Sequence, residues 1–192
     1  MKWIIIVILA MIVPYTYLTL RYRKPGPAFQ PYEDMKSRAN VSRLLAAGYQ
    51  RIGLTAQRPA DGARVLGGAQ ISNASGGVPE ALRSTLVEAP LLPTEITSVT
   101  AASTVTALQS YVIQLTCTLP DDKQQLGGAE LFVREDSIVI TPTFEPVTGD
   151  LQTRSRHAAV LLTVPAGALK PGNYTVTLVG ERASRTWPLE VR

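Results

Sequence analysis

Residues 169–180 read LKPGNYTVTLVG, and this stretch decides the fold class. Pro171-Gly172 is a turn dipeptide, because proline presets φ and glycine accepts positive φ. After it the side chains alternate. Tyr174, Val176 and Leu178 fall on one face, and Thr175, Thr177 and Val179 on the other. A tyrosine just inside such a strand suits a tyrosine corner, in which the ring packs and the hydroxyl bonds to upstream backbone. The stretch therefore predicts a turn feeding a core strand of a β-sandwich.

The same pattern extends in both directions from residue 93 onward. Short strands are predicted near 94–101, 109–119, 129–134, 137–142, 157–164, 173–179 and 185–191. Tyr111, Ile113, Leu115, Cys117 and Leu119 alternate with Val112, Gln114, Thr116 and Thr118, the period of two that a half-buried antiparallel strand requires. Val160, Leu162 and Val164 supply a second inward set, and Trp187, Leu189 and Val191 a third. Ile96 and Val99 are three apart, so the first strand is expected to carry a bulge or to lie at an edge. Seven short strands in about 100 residues predict an immunoglobulin-like β-sandwich over 93–192.

The segment VLLTVPAGALKPGNYTVTLVG, followed by WPLEV, resembles the C-terminal half of bacterial immunoglobulin-like sandwich domains. Such domains occur in membrane-anchored envelope proteins, including the outer parts of some anti-sigma-factor-like proteins. The likeness is good over about the last 40 residues and loose over the rest. It implies a scaffold and no particular activity. Cys117 aligns with the first of the two cysteines of antibody-type domains and Val176 with the second, so the resemblance implies a core without a disulfide. The usual core tryptophan is missing, and Trp187 lies on the last strand instead. The zinc-binding helices of an anti-sigma factor are missing too.

The other end of the chain differs. Residues 3–20 read WIIIVILAMIVPYTYLTL, from Trp3 to Leu20, without a charge. As a helix they span about 27 Å, near the lower limit for crossing a bilayer. Trp3, Tyr15, Tyr17 and Tyr22 sit near the ends, as interfacial aromatics do. Pro14 is expected to kink the helix, which membrane helices tolerate. Arg21, Arg23 and Lys24 follow directly, where a cleavage region would be neutral and small. Gly26 and Ala28 mimic such a site only after those charges. The reading is an uncleaved anchor over residues 1–24 that contacts the lipid bilayer; a cleaved signal peptide and a buried soluble helix are the alternatives.

Charge bears on orientation. The chain has 192 residues and formal net charge +4. Residues 1–92 hold 11 basic and 5 acidic side chains, and residues 93–192 hold 8 and 10. The basic excess lies beside the apolar run, and the positive-inside count therefore favours a cytoplasmic C-terminal part. An N-terminal anchor with almost no leader favours export instead. The expectation adopted is a bacterial inner-membrane, single-pass protein with a periplasmic domain.

Residues 25–92 are read as a linker with two short helices, one near 31–47 and one near 79–87. Pro31 suits a first helical turn and Gly48 a helix stop. Met35, Val41, Leu44 and Leu45, with Ala39 and Ala47, form a partial helical stripe. This basic juxtamembrane helix either packs on its own domain or binds a partner or surface. Tyr49 to Ala56, and Gly62 to Leu66, read as candidate strands; Gly67-Gly68 and residues 72–77 read as loops.

Motifs for chemistry are sparse. His157, the only histidine, has no nucleophile-elbow motif near it. Cys117, the only cysteine, lies on an alternating apolar face and reads as a core residue. Asp121-Asp122 and Glu135-Asp136 sit at predicted turns, and no calcium-loop spacing surrounds them. The glycine pairs 67–68, 76–77 and 127–128 lack a phosphate-loop lysine and read as turns. No catalytic, cofactor-binding or metal-ligating residue is singled out. The expected function is a non-enzymatic structural or protein-interaction component of the cell envelope. The alternative is a membrane-bound regulator acting through the basic helix. A protein partner is expected, and neither nucleic acid nor a small-molecule substrate is.

Overall fold

In the computed structural model the described residues are 2–22, 31–59, 68–147 and 155–192, with the side chains of 4–7, 9, 20 and 31–34 left out. The chain separates into two compact units, Met1–Met35 and Lys36–Arg192. The first contains α1 (Lys2–Tyr22), which runs through Pro14. Among the described residues no helix is long and apolar enough to cross a membrane, so the transmembrane helix expected over 1–24 is not shown.

The second unit is mainly β. After α2 (Pro31–Ala46) come β1 (Gln50–Gln57), β2 (Ser72–Ser75), the single turn α3 (Glu80–Arg83), β3 (Glu95–Ala101) and β4 (Thr104–Val105). Then follow β5 (Tyr111–Thr118), β6 (Gln124–Arg134), β7 (Ser137–Pro146), β8 (His157–Val164), β9 (Gly172–Leu178) and β10 (Ala183–Val191). They form one ten-stranded sheet in the order β2-β10-β9-β7-β6-β1-β8-β5-β3, with β4 beside β10.

This differs from the predicted seven-strand sandwich in three ways. β1, expected as a strand from Tyr49 to Ala56 but assigned to the linker 25–92, lies inside the sheet between β6 and β8. β7 pairs with β9 in parallel, Ser137 opposite Thr175, where an immunoglobulin sandwich keeps its two main sheets antiparallel. The sheet is also continuous, and it curls until its β3 edge returns to β10. There the Arg185 guanidinium donates to the Ile96 carbonyl through Nε (3.1 Å) and Nη2 (2.9 Å). The Glu181 N–H donates to the Pro93 carbonyl at 2.9 Å. Arg185 also bonds Asn73 on β2, so one side chain ties three strands.

Several local expectations hold. The strand over 157–164 has those bounds, and β3 is an edge strand with a register shift between Ile96 and Ser98. The Tyr174 hydroxyl donates to the Lys170 carbonyl at 3.0 Å, the contact of a tyrosine corner. Gly48, at φ 78°, ends α2. Tyr49 N–H bonds the Leu44 carbonyl and Gly48 N–H the Leu45 carbonyl, the paired bonds of a Schellman motif. Others need correction. The stretch 72–77, read as a loop, contains β2, and the helix expected near 79–87 shrinks to α3. The Gly127-Gly128 pair is not a turn but part of β6, at a second register shift. A Cβ on Gly128 would come within 2.8 Å of the Leu54 carbonyl of β1, so glycine is what permits that approach. The strand read from Gly62 to Leu66 lies outside the described residues.

The sheet is buried on both faces over part of its area. Inside the curl lies the main core, with Ile113, Leu115, Cys117, Leu162, Val176, Leu178, Trp187 and Leu189. Cys117 and Val176 both lie in it. On the outer face Phe132, Val139 and Val179 pack with Leu44, Tyr49 and Leu82. Residues 36–46 of α2 are thus docked on their own domain. The docking row is Lys36, Asn40 and Leu44, one helical turn apart. Lys36 pairs with Glu88 at 2.9 Å, and the Asn40 Oδ1 accepts the Val87 N–H at 2.7 Å. Met35, Val41 and Leu45 of the predicted stripe are exposed instead.

Candidate binding surfaces

The residues that could carry chemistry are held apart. Cys117 lies on the inward face of β5, and burial pushes its thiol up to about 11. At neutral pH it is protonated, which is the unreactive form. His157 begins β8 opposite Thr118 and is exposed, its Nδ1 3.4 Å from the Thr118 hydroxyl. The imidazole therefore sits at the surface while the thiol faces the core.

The acidic pairs behave as turn residues. The Asp121 carboxylate accepts the Lys123 N–H at 2.8 Å, a local bond of the Asx-turn type. Glu135 and Asp136 make the β6–β7 turn, with Glu135 at φ 55°. Among the described residues no three His, Cys, Asp or Glu side chains gather as a metal site would require.

A polar chain runs through the core. The Trp187 Nε1–H donates to the Tyr111 hydroxyl at 2.9 Å, and that hydroxyl donates to the Ala102 carbonyl at 2.9 Å. Burial raises the Tyr111 hydroxyl to about 12, against the opposing effect of the Trp187 bond. The chain satisfies an indole that is 1% exposed, so its role is to let a tryptophan fill the core without an orphaned donor.

Two concave surfaces stand out among the described residues. One is a groove of about 310 Å³ on the outer face, between Leu86, Pro90 and Leu91 on one side and Pro142 and Phe144 on the other. The second opens where the sheet splays. β1 pairs with β6 up to Thr55 opposite Gly128, and with β8 from Thr55 to Gln57. Beyond that point the start of β6 and the start of β8 separate, leaving a mouth of about 480 Å³. Arg58, Gln125 and His157 lie on its rim. Sequence reasoning singled out His157 for other reasons and missed Arg58. The available signal was Arg58-Pro59 directly after the alternating Ile52, Leu54 and Ala56.

The N-terminal unit presents a third kind of surface. Trp3, Ile8, Met11, Ile12, Val13 and Leu18 of α1 are all at least half exposed. Comparison of the chain with family models, with curated proteins and with solved structures finds no match.

Proposed function

We propose that this is a single-pass, membrane-anchored protein whose β-domain serves as a structural or protein-interaction component of a bacterial envelope. One observation carries the reading. α1 is a 21-residue helix whose 18 residues from 3 to 20 bear no charge, and its described apolar side chains are exposed in every direction. A helix apolar all round is either buried in a large core or inserted in lipid. At 1.5 Å per residue its uncharged stretch is about 27 Å long, near the lower limit for a span, and the anchor is inferred from that charge-free sequence, since no described helix is long and apolar enough to cross a membrane. Arg21 at its end, with Arg23 and Lys24 after it, suits the headgroup region.

The β-domain is read as an elaborated immunoglobulin-like module. In support of it, the order β3-β5-β8 is similar to one side of that sandwich, β9-β10 is similar to part of the other, and Tyr174 makes a bond like that of a tyrosine corner. β1 and the parallel β7 are the elaboration. The exposed Leu91 and the neighbouring Phe144 offer a protein partner an apolar contact.

A second reading has its own observation. The outward face of α2 carries Arg38, Val41 and Leu45, opposite the row that docks. A regulator binding a partner through this basic helix is the alternative. A reporter fused after Arg192 separates the two. Activity of a periplasm-only reporter supports the envelope role, and activity of a cytoplasm-only reporter supports the regulator. Release of the full chain from membranes by alkaline carbonate, or a mature N-terminus beyond Ala28, would refute the anchor.

A further inference from the structure

The mouth between β6 and β8 has a composition that the scaffold does not require. Its floor is formed by Ala56, Leu119, Leu126, Ala158 and Val160. Leu119 is buried at the end of β5, and the other four belong to the main core or pack against it. The cavity is therefore an open extension of the hydrophobic core. Its 480 Å³ falls within the range of about 300–1,000 Å³ found for small-molecule sites, which often occupy the mouths of curled sheets. The rim is polar, with Arg58 exposed at the end of β1. Among the described residues Arg58 has no ion-pair partner, and none of the described lining residues is acidic.

An apolar floor with Arg58 as the one cation among the described lining residues fits a ligand with one apolar tail and one negative head. We propose that the mouth binds a single-chain anionic amphiphile of the medium-chain carboxylate class. The tail lies on Leu119, Leu126 and Val160, where burial drives binding. The carboxylate meets the Arg58 guanidinium, whose planar fork matches it. Gln125 and His157 stand beside the head as hydrogen-bonding groups. This assignment is independent of the membrane reading, since every residue it uses lies in the unit Lys36–Arg192.

The test uses the full chain in nanodiscs of zwitterionic lipid and a decanoate photoprobe carrying a diazirine in its tail. Cross-linked peptides are mapped by mass spectrometry. Saturable labelling is expected in the peptides containing Leu126 and Val160, displaced by unlabelled decanoate. Arg58→Ala should lower labelling about fivefold, as loss of one solvent-screened ion pair does. A matching decanol probe should label weakly and be indifferent to Arg58. Ala158→Trp should fill the floor and abolish labelling, with Cys117 still protected from maleimide as the sign of an intact fold. Labelling confined to α1, or no saturable labelling at all, overturns the proposal. Equal labelling by decanol, or an unchanged yield in Arg58→Ala, overturns the anionic head.

Discussion

Tyr111→Phe is the sharpest probe of how the β-domain is held together. The change removes one oxygen and leaves the ring volume almost intact, so it opens no appreciable cavity. It deletes two bonds of 2.9 Å, one from the Trp187 indole and one to the Ala102 carbonyl. Their consequences differ. Ala102 is half-buried, so its carbonyl recovers water, and that bond is worth about 1 kcal/mol. Trp187 is 1% exposed, and its N–H would be left without a partner. An orphaned buried donor costs about 1–3 kcal/mol, so the total loss is about 2–4 kcal/mol. Cys117 provides the assay, because it is the only thiol in the chain and is buried in the same core. Maleimide trapping of the full chain across a urea series reports when that core opens. Trp187→Phe alone and with Tyr111→Phe completes a double-mutant cycle, and the double variant should lose less than the sum of the singles. A Tyr111→Phe midpoint equal to that of the parent would refute the reasoning, because the bonds from Trp187 and to Ala102 would then contribute nothing to holding the core.

Three further outcomes follow from the same geometry. Tyr174→Phe removes only the bond to the Lys170 carbonyl at a half-buried corner, so it should cost about 1 kcal/mol, clearly less than Tyr111→Phe on the same trapping curve. Leu44→Ala, at a side chain 2% exposed between α2 and the outer face, should cost about 2–5 kcal/mol. If α2 amides exchange freely in this variant while Cys117 trapping is unchanged, the helix is an appendage and not part of the cooperative unit. Alkaline pH should destabilise the domain, because burial raises the Cys117 thiol from 9.0 to about 11 and the Tyr111 hydroxyl from 10.0 to about 12. Both pKa values are higher in the folded state, so their contribution is whole below pH 9 and is lost as the unfolded chain ionises first and pH rises towards 12. Cys117→Ala should move the onset of that loss from about pH 9 to about pH 10; an unmoved onset in urea-midpoint measurements would assign it to other groups.

What was legible in the sequence is what local physics determines. The alternation of β5, β8 and β10 marks the inward residues because successive side chains on a strand face opposite ways, whichever strand lies beside it. The Tyr174 corner and the Gly48 helix stop are equally local. Pairing is different. Nothing within Ser137–Pro146 announces that it will lie parallel to β9. β2 reads SNAS and has no apolar period at all. It is a strand because its backbone pairs with β10 and because Asn73 meets Arg185, 112 residues away. The stripe assigned to α2 is only partly right, for a related reason. Apolar spacing selected Leu44 and Ala47, which do pack on the domain, but also Met35, Val41 and Leu45, which are exposed; the rest of the docking row is Lys36 and Asn40, which find Glu88 and the Val87 N–H on a segment that is distant in sequence.

The candidate mouth was illegible for the same cause, and that bears on how it arises. β1 has six residues opposite β6 and three opposite β8, with Thr55 shared between them. A strand inserted between two others must keep the same register with both, or the sheet separates. Here β1 changes neighbour at Thr55, opposite Gly128, the glycine whose missing Cβ lets the Leu54 carbonyl approach. The register shift between Leu126 and Gly128 turns the start of β6 away at the same point. The inward residues Leu126 and Val160, which would otherwise be covered by a continuing β1, are left bordering open space. Each of these residues reads in sequence as ordinary strand or turn. Only their register, a property of three strands at once, turns the end of a hydrophobic core into a cavity with Arg58 at its rim.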